Sequence, residues 1–252
     1  MRINFLGCYI DNLTFEETLE KIDEFIRSKI PHQHVVVNAN KIVLAQRDSF
    51  FRGIINSCDL INIDGVPILW AGKLLGLPFK ERVNGTDLME RLVKESALKG
   101  YRLYFFGAKE EVVKKLVEDY KRQYPSLCVA GFRNGYWDSF SEDEVVTEIK
   151  RAKPDVLFAA ISSPKKEIFL KKYLQIIGVP FVMGVGGSFD VVAGFIKRAP
   201  LWMQKAGLEW LFRFLQEPAR LWKRYIIGNT LFIILVLREF TKLKILKKNL
   251  IK

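Results

Sequence analysis

The chain has 252 residues, 49% of them hydrophobic and 27% charged, which is enough to bury a sizeable core and argues against a disordered chain. Its formal net charge of +12 is uneven, because residues 196–252 carry 13 lysines and arginines against three acids. Residues 1–195 are left nearly neutral at +2, so the C-terminal part predicts a polyanionic partner.

Short β-branched or aromatic runs alternate with amphipathic helical patterns between residues 14 and 183. The first helix is predicted over 14–28, where Thr14 and Glu17 form a capping box. Further helices are predicted over 85–98, 109–124, 141–152 and 165–176. Strands are predicted over 34–37, 60–63, 102–106, 128–131, 156–160 and 180–183. Strands that alternate with helices imply an α/β fold, a Rossmann-like parallel sheet flanked by helices.

The composition changes near Gly194, beyond which the chain reads as two or three helices rich in Trp, Leu, Arg and Lys. Pro200 and Pro218 mark breaks or helix starts. We therefore predict a catalytic core over residues 1–195 and a basic amphipathic helical appendage over residues 196–252.

The sequence predicts neither a signal peptide nor a membrane span. The longest uncharged apolar run near the end has 13 residues, over 225–237, whereas a span needs about 20. The three cysteines are widely spaced and fit a reducing cytoplasm without disulfides. His32 and His34 have no metal-ligand neighbourhood, so we expect no catalytic metal and no cofactor.

Ligands of parallel α/β sheets bind at the carboxyl ends of the strands, and three of the loops there carry candidates. Asp64 precedes Gly65 and is a candidate general base, with a helix cap or a turn as the alternative. Asn38 is a candidate to bind a nucleotide or a sugar, although asparagine is also common in turns. Arg82, before a helix start at Asn84, is a candidate for a diphosphate or a carboxylate, against a solvated arginine beside an ordinary cap.

The remaining loops favour an anion or a sugar hydroxyl. Gly107 lies in a small-residue turn before a helix, whose N-terminus favours a phosphate. Residues 162–167 (SSPKKE) put hydroxyls and two cations, one of them Lys166, at a helix start. Residues 184–190 (GVGGSFD) include Gly186 and Gly187, which let backbone amides approach a ligand, and Asp190, which suits a hydroxyl; a tight turn is the alternative.

Read in order, these segments resemble the WecG/TagA/CpsF glycosyltransferases of bacterial surface-polymer synthesis. The resembling segments are 38–41 (NANK), 64–65 (DG), 82–88 (RVNGTDL), 106–108 (FGA), 135–137 (GYW), 163–167 (SPKKE), 184–191 (GVGGSFDV), 197–200 (KRAP), 207–213 (GLEWLFR) and 217–218 (EP). They cover about residues 1–225 in order. The glycine-rich segment and the runs after it are specific enough to make chance a poor explanation.

The resemblance implies an inverting, metal-independent enzyme that transfers a sugar from a UDP-sugar to polyprenyl-diphosphate-linked N-acetylglucosamine at the cytoplasmic face of the plasma membrane. Donors in the family include UDP-N-acetylmannosamine and its uronic acid. By the same resemblance Asp64 is the general base. The residues that bind donor or acceptor are Asn38, Arg82, Asn84, Gly107, Lys166, Gly186, Gly187 and Asp190. Arg213, Arg220 and Arg224 match basic positions that neutralise a diphosphate.

The sequence departs from the family pattern at three positions. Val36 stands where the family has threonine, Ser162 where it has glycine, and Lys166 where it has a glutamine that contacts the nucleotide. An amide both donates and accepts hydrogen bonds, whereas an ammonium only donates. One hypothesis is an acidic donor sugar or an altered phosphate contact.

The basic C-terminal part mixes aromatic and cationic residues, which is typical of segments that lie on an anionic membrane surface. For 201–224 we predict membrane contact and cover of the active site; for 226–252, membrane contact, with contact between copies of the chain as the alternative. Helices that pack on the core are a further alternative. No nucleic-acid module accompanies the charge, so we expect no nucleic-acid partner. The alternative function is a non-catalytic nucleotide-binding membrane adaptor.

Overall fold

The computed structural model describes residues 1–137 and 141–250, with side chains described as far as residue 245. An antiparallel hairpin of β1 (Arg2–Phe5) and β2 (Cys8–Asp11) opens the chain. The central sheet contains β3 (His32–Val37), β4 (Leu60–Ile63), β5 (Arg102–Gly107), β6 (Cys128–Arg133), β7 (Val156–Ala160) and β8 (Phe181–Gly184). These strands are all parallel, in the order β4-β3-β8-β7-β5-β6. The predicted Rossmann-like parallel sheet is therefore confirmed.

The helices that accompany the sheet are α1 (Phe15–Ser28), α2 (Ala39–Arg47), α3 (Ser49–Asn56), α4 (Val66–Leu74), α5 (Gly85–Lys99), α6 (Glu110–Gln123), α7 (Glu142–Ala152), α8 (Lys165–Ile177) and α9 (Ser188–Val192). Every predicted helix and strand of the core is present, with ends that differ by at most two residues. Thr14 and Glu17 form the predicted capping box at the start of α1. The hairpin and helices α2, α3, α4 and α9 were not predicted, because such short elements show too few periods of a hydrophobic pattern.

The core lies on both faces of the sheet, and alternate strand residues face opposite layers. Leu103 and Phe105 of β5 join the cluster that contains α1, α5 and α6. Tyr104 and Phe106 join the cluster that contains α7 and α8. Because both faces are covered, the inner strands read as continuous apolar runs, and β7 is buried at every residue.

The C-terminal part contains α10 (Leu201–Lys205), α11 (Glu209–Gln216), α12 (Pro218–Trp222), a π-helical turn (Lys223–Ile227) and α13 (Gly228–Leu250). Helical backbone angles continue from α12 through the π-helical turn into α13, so that these three segments form one rod. The prediction of two or three helices is therefore confirmed. Pro218 lies at the start of α12, after a break at Glu217.

One face of α13 belongs to the core. Phe232 and Val236, one turn apart, are buried in the cluster that contains the hairpin and α2, with the Phe232 ring 6.3 Å from that of Phe5. Ile233 and Leu237 lie on a different face and are more than half exposed. The sequence left open whether this helix packs on the core or presents an apolar face for membrane contact. In the structure it packs on the core through one face and keeps another apolar face exposed. The division of the chain at residue 195 stays a prediction.

Candidate active site

A cleft of about 810 Å³ opens at the carboxyl ends of the parallel strands, which is the place that the fold class predicts for a ligand. Its floor consists of the loops after β3, β4, β5, β7 and β8, and α11, α12 and the π-helical turn lie across it. The predicted site residues that line the cleft are Asn38, Asp64, Arg82, Asn84, Lys166, Gly186, Gly187, Asp190, Arg213, Arg220 and Arg224. The volume lies within the range typical of small-molecule sites.

Asp64 is the carboxylate at the end of β4. Its backbone N–H donates to the carbonyl of Val37 across 2.8 Å, which fixes it to the neighbouring strand. Gly65, and not Asp64, is the N-cap residue of α4, and no side chain caps that helix. Burial raises the pKa of the Asp64 carboxyl, while Arg82, Lys41 and other cations oppose the rise. A carboxylate with a raised pKa that is not used as a cap has the properties of a general base.

Asn38 and Asn84 both begin helices, and both use their side-chain oxygen to do so. The Asn38 Oδ1 accepts a hydrogen bond from the backbone N–H of Lys41, 3.1 Å away. The Asn84 Oδ1 accepts from the N–H groups of Thr86 and Asp87. The Asn84 Nδ2 lies 3.4 Å from the Asp64 Oδ1 and orients that carboxylate. The side-chain amide hydrogens of Asn38, and the amide hydrogen of Asn84 that does not face Asp64, remain as donors for a ligand.

The glycine-rich loop after β8 makes room for two cationic side chains. A Cβ on Gly184 would lie 2.6 Å from Cε of Lys166, and a Cβ on Gly187 would overlap the guanidinium of Arg213. Gly186 has φ of +58°, a left-handed conformation that favours glycine. The sequence suggested that these glycines let a ligand approach; in the structure two of them also let Lys166 and Arg213 extend along the loop.

Gly107 is the predicted site residue that is not among those lining the cleft. It has φ of +126°, and a Cβ there would lie 2.5 Å from the carbonyl oxygen of Ala160 in the adjacent strand. Close packing of β5 on β7 therefore explains why the residue is glycine. The next residue, Ala108, lines the cleft instead.

Arginines of the C-terminal part face the floor from the opposite side of the cleft. Arg213 lies on α11, Arg220 on α12 and Arg224 on the π-helical turn, so a break in the helix separates the first from the others. The Nε atoms of Arg213 and Arg224 are buried and have no hydrogen-bond partner among the described residues. Buried donors without a partner are costly, so these two groups are available to an anionic ligand in the cleft.

A family model described as the glycosyl transferase WecG/TagA/CpsF family matches residues 3–245. The chain belongs to this family of glycosyltransferases. The family assignment spans the sheet, the cleft and most of α13, so the C-terminal part is as much a part of the family as the sheet is.

Relatives with curated names support the same assignment. The chain is 35% identical over 182 residues to a protein of Bacillus spizizenii, covering 72% of this chain and 70% of that one. It is 33% identical over 229 residues to one of Bacillus subtilis, covering 90% and 87%. It is 30% identical over 245 residues to one of Staphylococcus aureus strain MW2, covering 96% and 93%. All three are named N-acetylglucosaminyldiphosphoundecaprenol N-acetyl-beta-D-mannosaminyltransferase.

Sequence reasoning missed the role of three charged residues in or beneath the cleft of this glycosyltransferase. Lys41 is buried beneath the cleft, with its Nζ 2.8 Å from Oε1 of the buried Glu167. Glu209 lines the cleft with its Oε2 3.3 Å from Nη1 of Arg82, and burial followed by the charge of Asp64 raises its pKa. Lys41 and Glu167 each lie in a segment that resembles the family, which was the one hint of a role in the sequence. Their contact could not be predicted, because the two positions are 126 residues apart.

Neither the histidines nor any acidic cluster offers a metal site in residues 1–137 and 141–250, since no group of three or more His, Cys, Asp or Glu side chains could hold a metal ion there. His34 is buried, its Nε2 lies 3.0 Å from Oδ1 of Asn62, and burial lowers its pKa to about 3. Within the same residues, no helix combines the length and apolar character needed to cross a membrane.

Proposed function

We propose that this glycosyltransferase transfers N-acetylmannosamine, or a related sugar, from a UDP-sugar to polyprenyl-diphosphate-linked N-acetylglucosamine in the synthesis of a cell-surface polysaccharide. The names of the relatives support the transferred sugar and the lipid-linked acceptor. The resemblance of the sequence motifs to the family supports the UDP donor, and the arginines that line the cleft suit its diphosphate.

In the proposed reaction Asp64 accepts the proton of the acceptor hydroxyl while that oxygen attacks the anomeric carbon of the donor sugar. The bond from the anomeric carbon to the diphosphate oxygen breaks, and UDP leaves with the electron pair. Attack opposite the leaving group inverts the anomeric centre. Arg213, Arg220 and Arg224 stabilise the charge that develops on the diphosphate, a role that a metal ion has in other enzymes. The position of Asp64 and its raised pKa carry this proposal.

We further propose that the protein acts as a peripheral protein at the cytoplasmic face of the bacterial plasma membrane, where its lipid-linked acceptor resides. The support is the exposed apolar face of α13, with Ile233, Ile234 and Leu237, beside the excess of positive charge in residues 196–252. Such surfaces bind anionic bilayers by apolar burial and by electrostatic attraction.

A pair of carboxylate variants tests the proposed reaction. UDP release is measured over a panel of UDP-sugars with a polyprenyl-diphosphate-linked N-acetylglucosamine analogue, with and without a chelator. Asp64→Asn should lower kcat about 10²- to 10⁴-fold, the range for a lost general base, while binding of the UDP-sugar persists. Glu209→Gln is the matched control, because Glu209 is a second cleft carboxylate with a raised pKa and is paired with Arg82.

Each other outcome has a defined meaning. Full turnover by Asp64→Asn would show that Asp64 is not the base, and loss of turnover only in Glu209→Gln would assign that role to Glu209. A wild-type protein that binds UDP-sugars without turnover on any donor would support the adaptor instead. Loss of turnover in the chelator would contradict metal independence.

A further inference from the structure

Three charged side chains are buried together under the floor of the cleft. Lys41 and Lys166 are each 6% exposed and Glu167 is 2% exposed. Two ammonium groups share one carboxylate, so the cluster holds one positive charge in excess. An uncompensated charge inside a protein is costly in free energy, so a neighbouring group or ligand is expected to balance it.

The contacts show which of the two lysines carries the excess. The Lys41 Nζ donates to the backbone carbonyl of Val36 across 2.8 Å and lies 2.8 Å from Glu167 Oε1. The Lys166 Nζ is 3.6 Å from the same oxygen, beyond hydrogen-bond length. Glu167 is therefore the partner of Lys41, and the charge of Lys166 is only partly balanced.

Lys166 also has the geometry to present its charge to a ligand. Its stem runs beside Gly184, where a Cβ would clash with it, and its Nζ lies near Gly186 on the wall of the cleft. Its neighbour Lys165 is exposed, does not line the cleft and lies with its Nζ 3.6 Å from the centre of the Trp137 ring. The two adjacent lysines thus differ in burial and in direction.

Burial, followed by the charge of Lys41, lowers the pKa of Lys166 to about 8. Burial opposes ionisation of Glu167, but the charges of Lys41 and Lys166 outweigh it and lower the pKa of Glu167 to about 2. Both groups are therefore mainly charged at neutral pH. An anion bound at Lys166 would balance the excess charge and raise the pKa of that ammonium.

On the basis of the proposed function, we infer that Lys166 is a specificity-determining residue of the donor site, which binds an anionic oxygen group of the donor. The group is a carboxylate on the transferred sugar or an oxygen of the diphosphate, since an ammonium binds either. Lys41 acts as a positioning residue, because it occupies Glu167 and leaves Lys166 to the ligand.

The test measures the Kd of three ligands by calorimetry: UDP, UDP-N-acetylmannosamine and the corresponding UDP-uronic acid. Lys166→Gln, and Lys166→Met as a second variant, are compared with the wild type and with Lys165→Gln, which removes the same charge one position away. Both Lys166 variants keep the Lys41–Glu167 pair, so their melting temperature should equal or exceed that of the wild type.

Loss of a charge-assisted hydrogen bond should weaken binding about tenfold or more in both Lys166 variants and less than about twofold in Lys165→Gln. A loss confined to the uronic acid identifies a sugar carboxylate, and an equal loss for all three ligands identifies the diphosphate. Unchanged affinities in the Lys166 variants would overturn the inference, as would a wild-type protein that binds none of the ligands. Wild-type binding without turnover contradicts the proposed function alone.

A pH series separates charge from shape. Because the protonated amine is the binding form, wild-type affinity for the UDP-sugar should fall as the pH rises through about 8, and the profile of Lys166→Gln should be flatter. The charged groups around Lys166 are Lys41 of α2, Glu167 of α8 and Arg224 of the π-helical turn, and the titratable His34 of β3 is neutral in this pH range. They remain in the variant, so the difference between the two profiles belongs to Lys166. Parallel profiles would contradict the role of its charge.

Discussion

The two sides of the cleft are built in different ways. On the floor, Asp64, Asn38 and Asn84 are fixed by strand hydrogen bonds or by helix caps, and the segments around them are buried in the core. On the opposite side, which we call the roof (α11, α12 and the π-helical turn), no residue of α11 is buried. The roof is held by aromatic contacts such as Trp210 with Tyr225, and by ion pairs.

This difference suggests a division of roles between the floor and the roof. The floor fixes one carboxylate and the amides around it to the sheet, and the roof brings permanently charged guanidinium groups. In the proposed reaction, a roof with little core packing can adjust to the diphosphate without displacing Asp64. Each of the following variants tests one half of this comparison.

The largest effect is expected from the roof arginines. Changing Arg213, Arg220 and Arg224 together to alanine should lower kcat/KM about 10³-fold, because each charge-assisted hydrogen bond contributes about 1.5–3 kcal/mol and the three act on one diphosphate. The measurement is UDP release on a water-soluble acceptor analogue. The control changes Arg238, Lys242 and Lys244, which are exposed on α13, and removes the same charge. Equal losses in both triple variants would mean that net charge, not position, matters.

Substitution of Phe232 tests whether α13, which follows the roof along the same rod, packs on the core. Phe232→Ala should lower the free energy of unfolding by about 3–5 kcal/mol, because it leaves a cavity beside Phe5. Ile233→Ala, which changes an exposed neighbour, should cost less than about 1 kcal/mol. Urea denaturation measures both. Similar small costs would show that α13 does not pack on the core in solution. For the same reason, truncation at residue 195 would remove part of the core together with the appendage.

The pH dependence of kcat/KM tests the contact between floor and roof. Asp64 must be ionised to act as a base, so activity is full above its raised pKa and is lost as the pH falls through it. Among the cations that lower this pKa, Arg82 has the largest effect, and Arg82→Gln should therefore move the acid limb to higher pH. Since Glu209 lies 3.3 Å from Arg82, Glu209→Gln is the companion variant and should move the limb in the opposite direction. If the acid limb stays at the same pH in both variants, the limb does not report the ionisation of Asp64.

The smallest effect concerns the exposed face of α13. Ile234→Ser should weaken binding to anionic vesicles about fivefold, the value of roughly 1 kcal/mol of apolar burial, and should leave the melting temperature unchanged. Leu98→Ser is the control, since Leu98 is an exposed apolar residue of α5, outside the C-terminal part. Vesicle flotation measures both variants. Equal binding by wild type and Ile234→Ser would contradict membrane contact through this face.

The sequence predicted the sheet and the floor better than the roof and the buried charges. Apolar runs marked the strands, and the rule for parallel sheets then placed Asp64 and Asn38 at one edge. The burial of Phe232 was not predictable, because α13 is apolar on more than one face and its pattern does not say which face meets the core. The Lys41–Glu167 contact joins distant positions, and local patterns carry no information about such pairs.

The π-helical turn has a consequence for how this chain tolerates insertions and deletions. A helix turns by about 100° per residue, so the length of the Lys223–Ile227 turn sets the phase between α12 and α13. With the present length, Arg220 points into the cleft and Phe232 into the core along a single rod. Loss of one residue from the turn would rotate one set away while the other stayed in place. We therefore expect a change in the length of this segment to separate the cleft residues from the core residues of the rod, whereas a substitution away from Arg224 leaves their phase unchanged.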